Sequence, residues 1–535
     1  MTTTTSGRWR HYGLPLATIV IGGLAIRFLH FSLALGSDDQ VWVTVAREIS
    51  SDAVHTDEPV YYTRLVWTWL LILWGALGAL TLEWTAVLMF VLSALTILFI
   101  AAAALAAFGT RAALLAALVY AAHPLAVSYD TATLPDGLAV CMLAAITWSW
   151  LRYLHSPRPA LLVVPGLLIG LLFGVKNYFM LVSIPCAATI LLSAPDWPRR
   201  SRHLGILVGT ALAGLGIALL LGVASRVDPS SHVASFGNYV HYISQAPASS
   251  ADWGMRQLVG LLAERAEGAA LLFFGFGALM GALTVFGLAA SLCESRRSPT
   301  HLFLASTSLL FLLFLMFMPV GFSPLTFTQL HERYLTVILP SLAVSTGVAL
   351  ANAWGVLDIR SLRIAAATAF IAVVGFSAWV PGEMHDRYGR LDLRGLAQVV
   401  SDAPTRGTKQ LLLPAYLRRL VPASDLEGGV QLHYTDLASA SGAASALDVL
   451  LSDPSAAVVV FRAPYRSIKE KLRTGDYDER TAEGVYGSLM QGARSRGYSI
   501  EEVRVPYDTA RVWLARLGLA TRGQLVGWVV RKPAP

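Results

Sequence analysis

Residues 14–50 read LPLATIVIGGLAIRFLHFSLALGSDDQVWVTVAREIS. The stretch from Leu14 to Leu35 is an apolar run of the length that crosses a bilayer. Two adjacent carboxylates, Asp38 and Asp39, stand where such a helix would leave the membrane. A polar stop explains a charge at that point. Two like charges side by side also suit a general base at a membrane surface. The rest of the chain decides between the two readings.

The 535 residues are 55% hydrophobic and only 14% charged, with a mean hydropathy of +0.57. A soluble domain carries about 25% charged residues, so this is the composition of a polytopic membrane protein. The net charge of +7 falls in short Lys/Arg clusters between apolar runs, the pattern of orientation signals. No basic stripe with interleaved aromatics is present, which excludes nucleic acid as the expected partner. Cys141, Cys186 and Cys293 form no CxxC pair and indicate neither a zinc site nor a disulfide framework. Leu14–Leu35 is long for a secretory signal core and reads as an uncleaved anchor, with LALGS a weak cleavage site.

Apolar runs at 14–35, 83–107, 112–130, 137–154, 160–175, 178–194, 204–224, 269–292, 301–320, 334–352 and 363–380 are candidate spans. A further stretch, 65–82, could cross or lie along the surface. Charge parity settles its reading. GRWRHYG, FGTR, RYLHSPRP, DWPRRSRH, ESRRSPTH and DIRSLR all fall on the cytoplasmic side only if 65–82 does not cross. It is therefore expected as an outer interfacial helix, with Trp67, Trp69 and Trp74 at headgroup depth. About eleven spans follow, with the N-terminus inside. The 160–194 region is two short spans or one long hairpin.

Beyond residue 380 charged residues become frequent and apolar runs shorten. LLLPAYL, AAVVVFRA, YSIEEVRVP and LVGWVVRK read as strands, and TAEGVYGSLMQGARSRG and YDTARVWLARLG as helices. The expected organisation is a membrane domain over 1–380 and an extracytoplasmic α/β domain over 381–535. The second domain holds no phosphate loop, nucleophile elbow or metal motif and suits a supporting or acceptor-recognition role.

Parity gathers ionisable residues on the outer face: Asp38 and Asp39, Asp136 in SYDTATLPDGLAV, Lys176 in FGVKNYFM, and His331, Glu332 and Arg333 in HERY. Charges near a membrane core are costly and are retained with a partner or a function. Each has a plainer reading. Asp136 follows Pro135 at a helix start, where a carboxylate favours the dipole. Lys176 could snorkel to headgroups, Arg333 could anchor the interface, and Glu332 could pair with it. His123 in AAHPLAV reads as a structural residue near a kink. Together the charges suit group transfer from a lipid-linked donor, with a carboxylate taking a proton from an acceptor hydroxyl and cations receiving the phosphate that leaves.

The order of these pieces resembles the GT-C glycosyltransferases that use polyprenyl-phosphate sugars, the protein O-mannosyltransferase and lipid A aminoarabinose transferase group. The resemblance covers residues 10–380. It rests on DDQVWVTVA, EPVYYTRLVWTWLLILWGAL, FGTRAALLAAL, HPLAVSYDTATLPDGLAV, LLFGVKNYFM and HERYLTVILP in that order. It implies an inverting transferase with Asp38 as catalytic base, Asp39 on the second acidic position, and Asp136 near base and acceptor. It also implies Lys176 and Arg333 on the donor phosphate. Trp42, Tyr62, Arg64, His331, Glu332 and Tyr334 are the expected substrate contacts. Trp42 departs from the tyrosine often found there, and His331 is not a fixed feature. The implied partners are a polyprenyl-phosphate sugar, membrane lipid, and a lipid, glycan or protein acceptor. Asp38, Asp39 and Asp136, with His55 or His331, could hold a divalent metal ion, although a metal-free site accounts for the same residues. A transporter or flippase, and a ligase or polymerase using a diphosphate-linked donor, are the competing readings. The absence of an internal repeat weighs against transport.

Overall fold

The computed structural model describes residues 5–29, 38–51, 63–193, 196–226, 278–317, 319–322, 325–327 and 332–356, with 368, 371, 372 and 375 beyond them. In the C-terminal region it describes 410–414, 431–435, 448–449, 452, 456–461, 489–507 and 523–531. The chain divides into two compact units: residues 1–31 with 45–381, and residues 32–44 with 382–535. The short stretch carrying Asp38, Asp39 and Trp42 thus groups with the C-terminal unit. The candidate span 363–380 lies largely outside the described residues.

The larger unit is helical. Its elements are α1 (Thr5–Leu29), α2 (Asp38–Ser50, shared with the other unit), α3 (Leu65–Gly75), α4 (Leu82–Phe108), α5 (Thr110–Ala122), α6 (Pro124–Tyr129) and α7 (Pro135–His155). There follow α8 (Val163–Leu171), α9 (Phe173–Lys176), α10 (Ser183–Ser193) and α11 (Trp197–Ala224). Then come α12 (Ala278–Glu294), α13 (Pro299–Phe317) and α14 (Leu339–Val356). Seven helical segments among the described residues are long and apolar enough to cross a membrane, and three shorter apolar helices accompany them. The protein is a multi-pass membrane protein.

The helices differ in how much of their surface meets protein. The segments Tyr334–Gly355 and Pro135–His155 are 83% and 72% buried, against 17% for Tyr12–Leu29 and 22% for Trp197–Ala224. α7 and α14 are therefore central. α1 and α11 present apolar side chains such as Leu14, Ile21, Leu220 and Val223 outward, as a lipid-facing helix does. α4 packs on α7 and α5, α14 packs on α5, and α8 packs on α11. The last contact is close because it is built on glycines. A Cβ at Gly170 would run into the carbonyl of Ala211, and one at Gly214 into that of Leu167. Small residues of this kind let membrane helices approach backbone to backbone.

α3 has 11 residues, about 16 Å at the helical rise and too short for a hydrocarbon core of about 30 Å. The expected interfacial helix 65–82 therefore ends at Gly75, and α4 begins at Leu82. Its tryptophans, expected at headgroup depth, make specific contacts within the protein. Trp67 is fully buried, and Trp69 donates its indole N–H to the Ser225 hydroxyl at 2.8 Å. Trp74 and Trp84 stack with centroids 5.2 Å apart. Each donates its indole N–H to the other's backbone carbonyl, at 2.8 and 3.0 Å. This reciprocal pair fixes the corner between α3 and α4.

The span expected at 112–130 is broken into α5 and α6 at His123. This residue has extended backbone (φ −66°, ψ 124°) and caps α6 by accepting the Leu125 amide on its ring. Pro124 follows at the first helical position, where it loses no hydrogen bond. The reading of His123 as a structural residue at a kink agrees with this. The region 160–194 is a chain of short pieces: a 3-10 turn over Pro159–Leu162, α8, α9, a second 3-10 turn over Asn177–Val182, and α10.

In the larger unit β1 (Pro319–Phe322) and β2 (Leu325–Phe327) pair antiparallel. The C-terminal unit contains a five-stranded mixed sheet of β3 (Gln410–Pro414), β4 (Gln431–Thr435), β5 (Ala456–Phe461), β6 (Ser499–Tyr507) and β7 (Gly523–Arg531), in the order β4-β3-β5-β7-β6. β4, β3 and β5 run parallel, and β7 and β6 are added antiparallel. Four strands were expected, and β4, QLHYT, was not. Tyr507, expected to open a helix, instead ends β6 opposite Gly523. Of the helix expected over 481–497, residues 489–494 are described and helical.

Candidate functional site

Three chain segments meet around Lys176. α7 starts at Pro135, which places Asp136 in its first turn. α9 ends at Lys176, whose backbone is extended (φ −162°, ψ 100°) before the 3-10 turn that follows. The chain therefore breaks its helix at the lysine itself. A close approach makes room for this: a Cβ at Gly174 would stand 2.6 Å from Val66 Cγ2 of α3. The third segment is the 3-10 turn Glu332–Ile338, which carries Tyr334 ahead of α14.

Lys176 Nζ donates to Asp136 Oδ1, forming a salt bridge. The two residues are 6% and 3% exposed, so the pair is taken out of water. An isolated buried ammonium would be strongly penalised, and the carboxylate offsets that cost. Aromatic faces lie close by as well. The ammonium lies 4.2 Å from the centroid of Tyr334, 5.5 Å from Tyr178 and 5.7 Å from Phe179. Each ring face attracts the cation through its quadrupole. The rings are themselves braced. Tyr178 stacks on Phe314 at 5.6 Å and meets Tyr334 edge-on at 6.2 Å, while Phe179 meets Phe311 at 6.2 Å. α13 thereby buttresses the cage.

A second buried charge cluster lies in the same unit. Arg27 of α1 is fully buried, and Asp130 at the end of α6 is 5% exposed. Arg27 donates from Nη2 (2.8 Å) and Nε (3.2 Å) to Asp130 Oδ2. It also donates from Nη1 to the carbonyls of Ala121 (2.7 Å) and Gly23 (3.2 Å). Asp130 further accepts the Ser93 hydroxyl on Oδ2 at 3.1 Å and the Tyr120 hydroxyl on Oδ1 at 3.0 Å. Helices α1, α4, α5 and α6 are tied by this one carboxylate. Sequence reading passed over both residues. An arginine inside an apolar span and an aspartate six positions before Asp136 were the available signals.

The expected site residues fall into three groups. Asp136, Lys176 and Tyr334 are brought together. Arg64 stands at the start of α3, where its carbonyl accepts the amide and hydroxyl of Thr68. Trp42 is buried within α2. Asp38 and Asp39 are the first two residues of α2, and Glu332 and Arg333 precede Tyr334 in its turn. The side chains of these four residues lie outside what the structure describes, as do Tyr62, His55 and His331 entirely. Asp136 was expected beside the base or a metal and is found on Lys176. Its Oδ1 accepts from the ammonium, which makes this carboxylate one half of an ion pair. Among the described residues no three His, Cys, Asp or Glu side chains gather as a metal site would require.

Residues 57–221, which include Asp136, Lys176 and Tyr178, match the family model described as dolichyl-phosphate-mannose-protein mannosyltransferase. No curated protein matches the chain in sequence. Solved structures do match in fold. ArnT from Cupriavidus metallidurans in the apo state aligns with a TM-score of 0.56 at 13% identity, covering 98% of each chain. The apo oligosaccharyltransferase of Archaeoglobus fulgidus aligns with a TM-score of 0.54 at 12% identity, covering 93% of this chain and 74% of that one. The same enzyme in complex with zinc and sulfate aligns at 0.52 and 14% identity, covering 95% and 72%. The chain therefore has the GT-C fold that its sequence resemblance implied.

Proposed function

We propose that the protein is an inverting glycosyltransferase that moves a sugar from a polyprenyl-phosphate donor to an acceptor hydroxyl at the outer face of the cytoplasmic membrane. The observation that carries this reading is the buried Lys176 ammonium held by Asp136 and three aromatic rings. A charged pair kept inside a membrane unit is a functional-site candidate, and its ammonium can also meet an incoming anion. A lipid phosphate is the anion a membrane supplies, and aromatic rings suit both the cation and a sugar face.

In this reaction the bond between the sugar C1 and the phosphate oxygen breaks, and its electron pair leaves with the phosphate. The acceptor oxygen forms the new bond to C1 from the opposite face. Its proton passes to Asp38, which acts as general base, while Asp39 orients the acceptor. Lys176, with Arg333, receives the charge that develops on the leaving phosphate. The C-terminal unit, with its mixed sheet, is assigned to acceptor recognition on the extracytoplasmic side. The archaeal oligosaccharyltransferase solved with zinc keeps a divalent ion in view as an aid to acceptor orientation. Asp38, Asp39 and Asp136 are the residues that would hold it.

Reconstitution in liposomes tests this reading against the transport alternative. Radiolabelled polyprenyl-phosphate sugar is supplied with a membrane extract as acceptor, and product and lipid orientation are followed together. A new glycoside with inverted configuration at C1 is expected. Lipid flux without a glycosidic bond would overturn the assignment.

A further inference from the structure

The carboxylates of the two buried ion pairs stand six positions apart on one stretch of chain. Asp130 closes α6, and Asp136 lies in the first turn of α7. Between them Thr131, Ala132, Thr133, Leu134 and Pro135 are all buried. The connection 131–134 has no helix or strand of its own. Turn bonds hold its backbone: the Ala132 amide donates to the Tyr129 carbonyl at 3.2 Å, Leu134 to Ala132 at 2.7 Å and Gly137 to Leu134 at 3.2 Å. The chain folds back on itself here, and a Cβ at Gly137 would stand 3.6 Å from the Asp130 carbonyl oxygen. Asp136 is therefore carried by a compact turn whose foot is Asp130.

That foot is fixed by directed bonds. Arg27 donates twice to Asp130 Oδ2, Ser93 donates to the same oxygen, and Tyr120 donates to Oδ1. Arg27 is held in turn by the carbonyls of Ala121 and Gly23, and its guanidinium lies 5.7 Å from the centroid of the Tyr120 ring. The donors come from α1, α4 and α5. Both α6 and α7 also pack on the 3-10 turn that carries Tyr334. A buried ion pair adds little net stability over well-packed apolar groups, so stability alone does not account for one at this place. We propose that Arg27 and Asp130 are positioning residues, whose network fixes the turn 130–136 so that the Asp136 carboxylate meets the Lys176 ammonium. The role deepens the transferase reading above and rests on it, because Lys176 is there assigned to the lipid phosphate. A misplacement of about 1 Å transmitted from a distant substitution can cost about a hundredfold in rate.

The test is a double-mutant cycle, read by binding of undecaprenyl phosphate to purified full-length protein in nanodiscs. Its four proteins are wild type, Arg27→Met/Asp130→Asn, Asp136→Asn, and all three substitutions together. Removing both charges of the Arg27 pair avoids stranding either one. Arg27→Met/Asp130→Asn is expected to raise the dissociation constant by about tenfold, the order of one charge-assisted hydrogen bond to the phosphate. In the Asp136→Asn background the same two substitutions are expected to change it by less than about twofold, because the ion pair they position is already gone. Arg333 and the other groups near the phosphate are the same in all four proteins and drop out of the comparison. Tyr120→Phe/Ser93→Ala keeps the ion pair and all four Arg27 donations. It is expected to show a smaller loss with the same dependence on Asp136, and it decides the matter if Arg27→Met/Asp130→Asn does not fold. Equal losses in both backgrounds would mean that the network only holds helices together, and would overturn the proposal. So would wild-type affinity in a folded Arg27→Met/Asp130→Asn protein. In either case the transferase reading would stand. Failure of wild type to bind undecaprenyl phosphate would overturn both.

Discussion

Replacing Asp130 by Asn removes one charge from a buried network and leaves its shape intact. Arg27 is fully buried. Two of its four donations go to Asp130 Oδ2, at 2.8 and 3.2 Å, and the other two go to the carbonyls of Ala121 and Gly23. In Asp130→Asn the carbonyls remain, and an amide oxygen at the Oδ2 position can still accept Arg27 and the Ser93 hydroxyl, while the amide NH2 at the Oδ1 position meets the Tyr120 hydroxyl, which must turn to accept from it. What is lost is the counter-charge. Breaking one side of a buried pair costs about 3–5 kcal/mol, because the remaining charge stays desolvated. The sum stability of a protein is of order 5–15 kcal/mol, so the variant should be severely weakened. Adding Arg27→Met removes the stranded cation. The double variant Arg27→Met/Asp130→Asn should therefore be more stable than Asp130→Asn alone. Thermal unfolding in detergent, followed by tryptophan fluorescence at one scan rate, measures the order of the midpoints. Additive losses, with the double variant the least stable, would refute the argument that the two charges depend on each other.

Two further outcomes follow from the packing. Tyr334→Leu removes the ring nearest the Lys176 ammonium and should cost about 0.5–2 kcal/mol. Tyr334→Phe keeps the ring face and should stay close to wild type in the same melting experiment. Gly170→Val places a side chain against the Ala211 carbonyl, so α8 and α11 must separate at a cost of about 1–3 kcal/mol or more. Size-exclusion chromatography after mild heating should show that variant aggregating first.

The legibility of this molecule in its sequence varies with the range of the signal. Span-length apolar runs and the alternation of Lys/Arg clusters identified a multi-pass membrane protein, because both are local and strong. Asp136, Lys176 and Tyr334 stood out for the same reason, as polar groups at the edges of apolar runs. Their pairing did not, since 40 residues separate Asp136 from Lys176 and the helix break that aims Lys176 lies in its own backbone. Arg27 and Asp130 were hidden in a different way. Each interrupts an apolar run, but 103 positions separate them and nothing local shows that one completes the other. The tryptophans of α3 fitted the interface by composition, yet Trp67 is core, and Trp74 and Trp84 hold a corner. Strand β4 escaped because QLHYT has only two apolar positions, and its place is set by the parallel ladder with β3. The metal reading of Asp136 followed from counting carboxylates, a count that could not anticipate the ammonium on its Oδ1.

The measurement that bears most directly on the account is sugar transfer by purified protein in nanodiscs. Wild type and Asp38→Asn are each supplied with a panel of polyprenyl-phosphate sugars and a membrane extract as acceptor. Label moving from one donor into a new product with wild type, and no transfer by an Asp38→Asn protein that melts at the same temperature, is the predicted result. Transfer by Asp38→Asn at the wild-type rate would remove Asp38 from the mechanism, and transfer from no polyprenyl-phosphate sugar at all would contradict the proposed function itself.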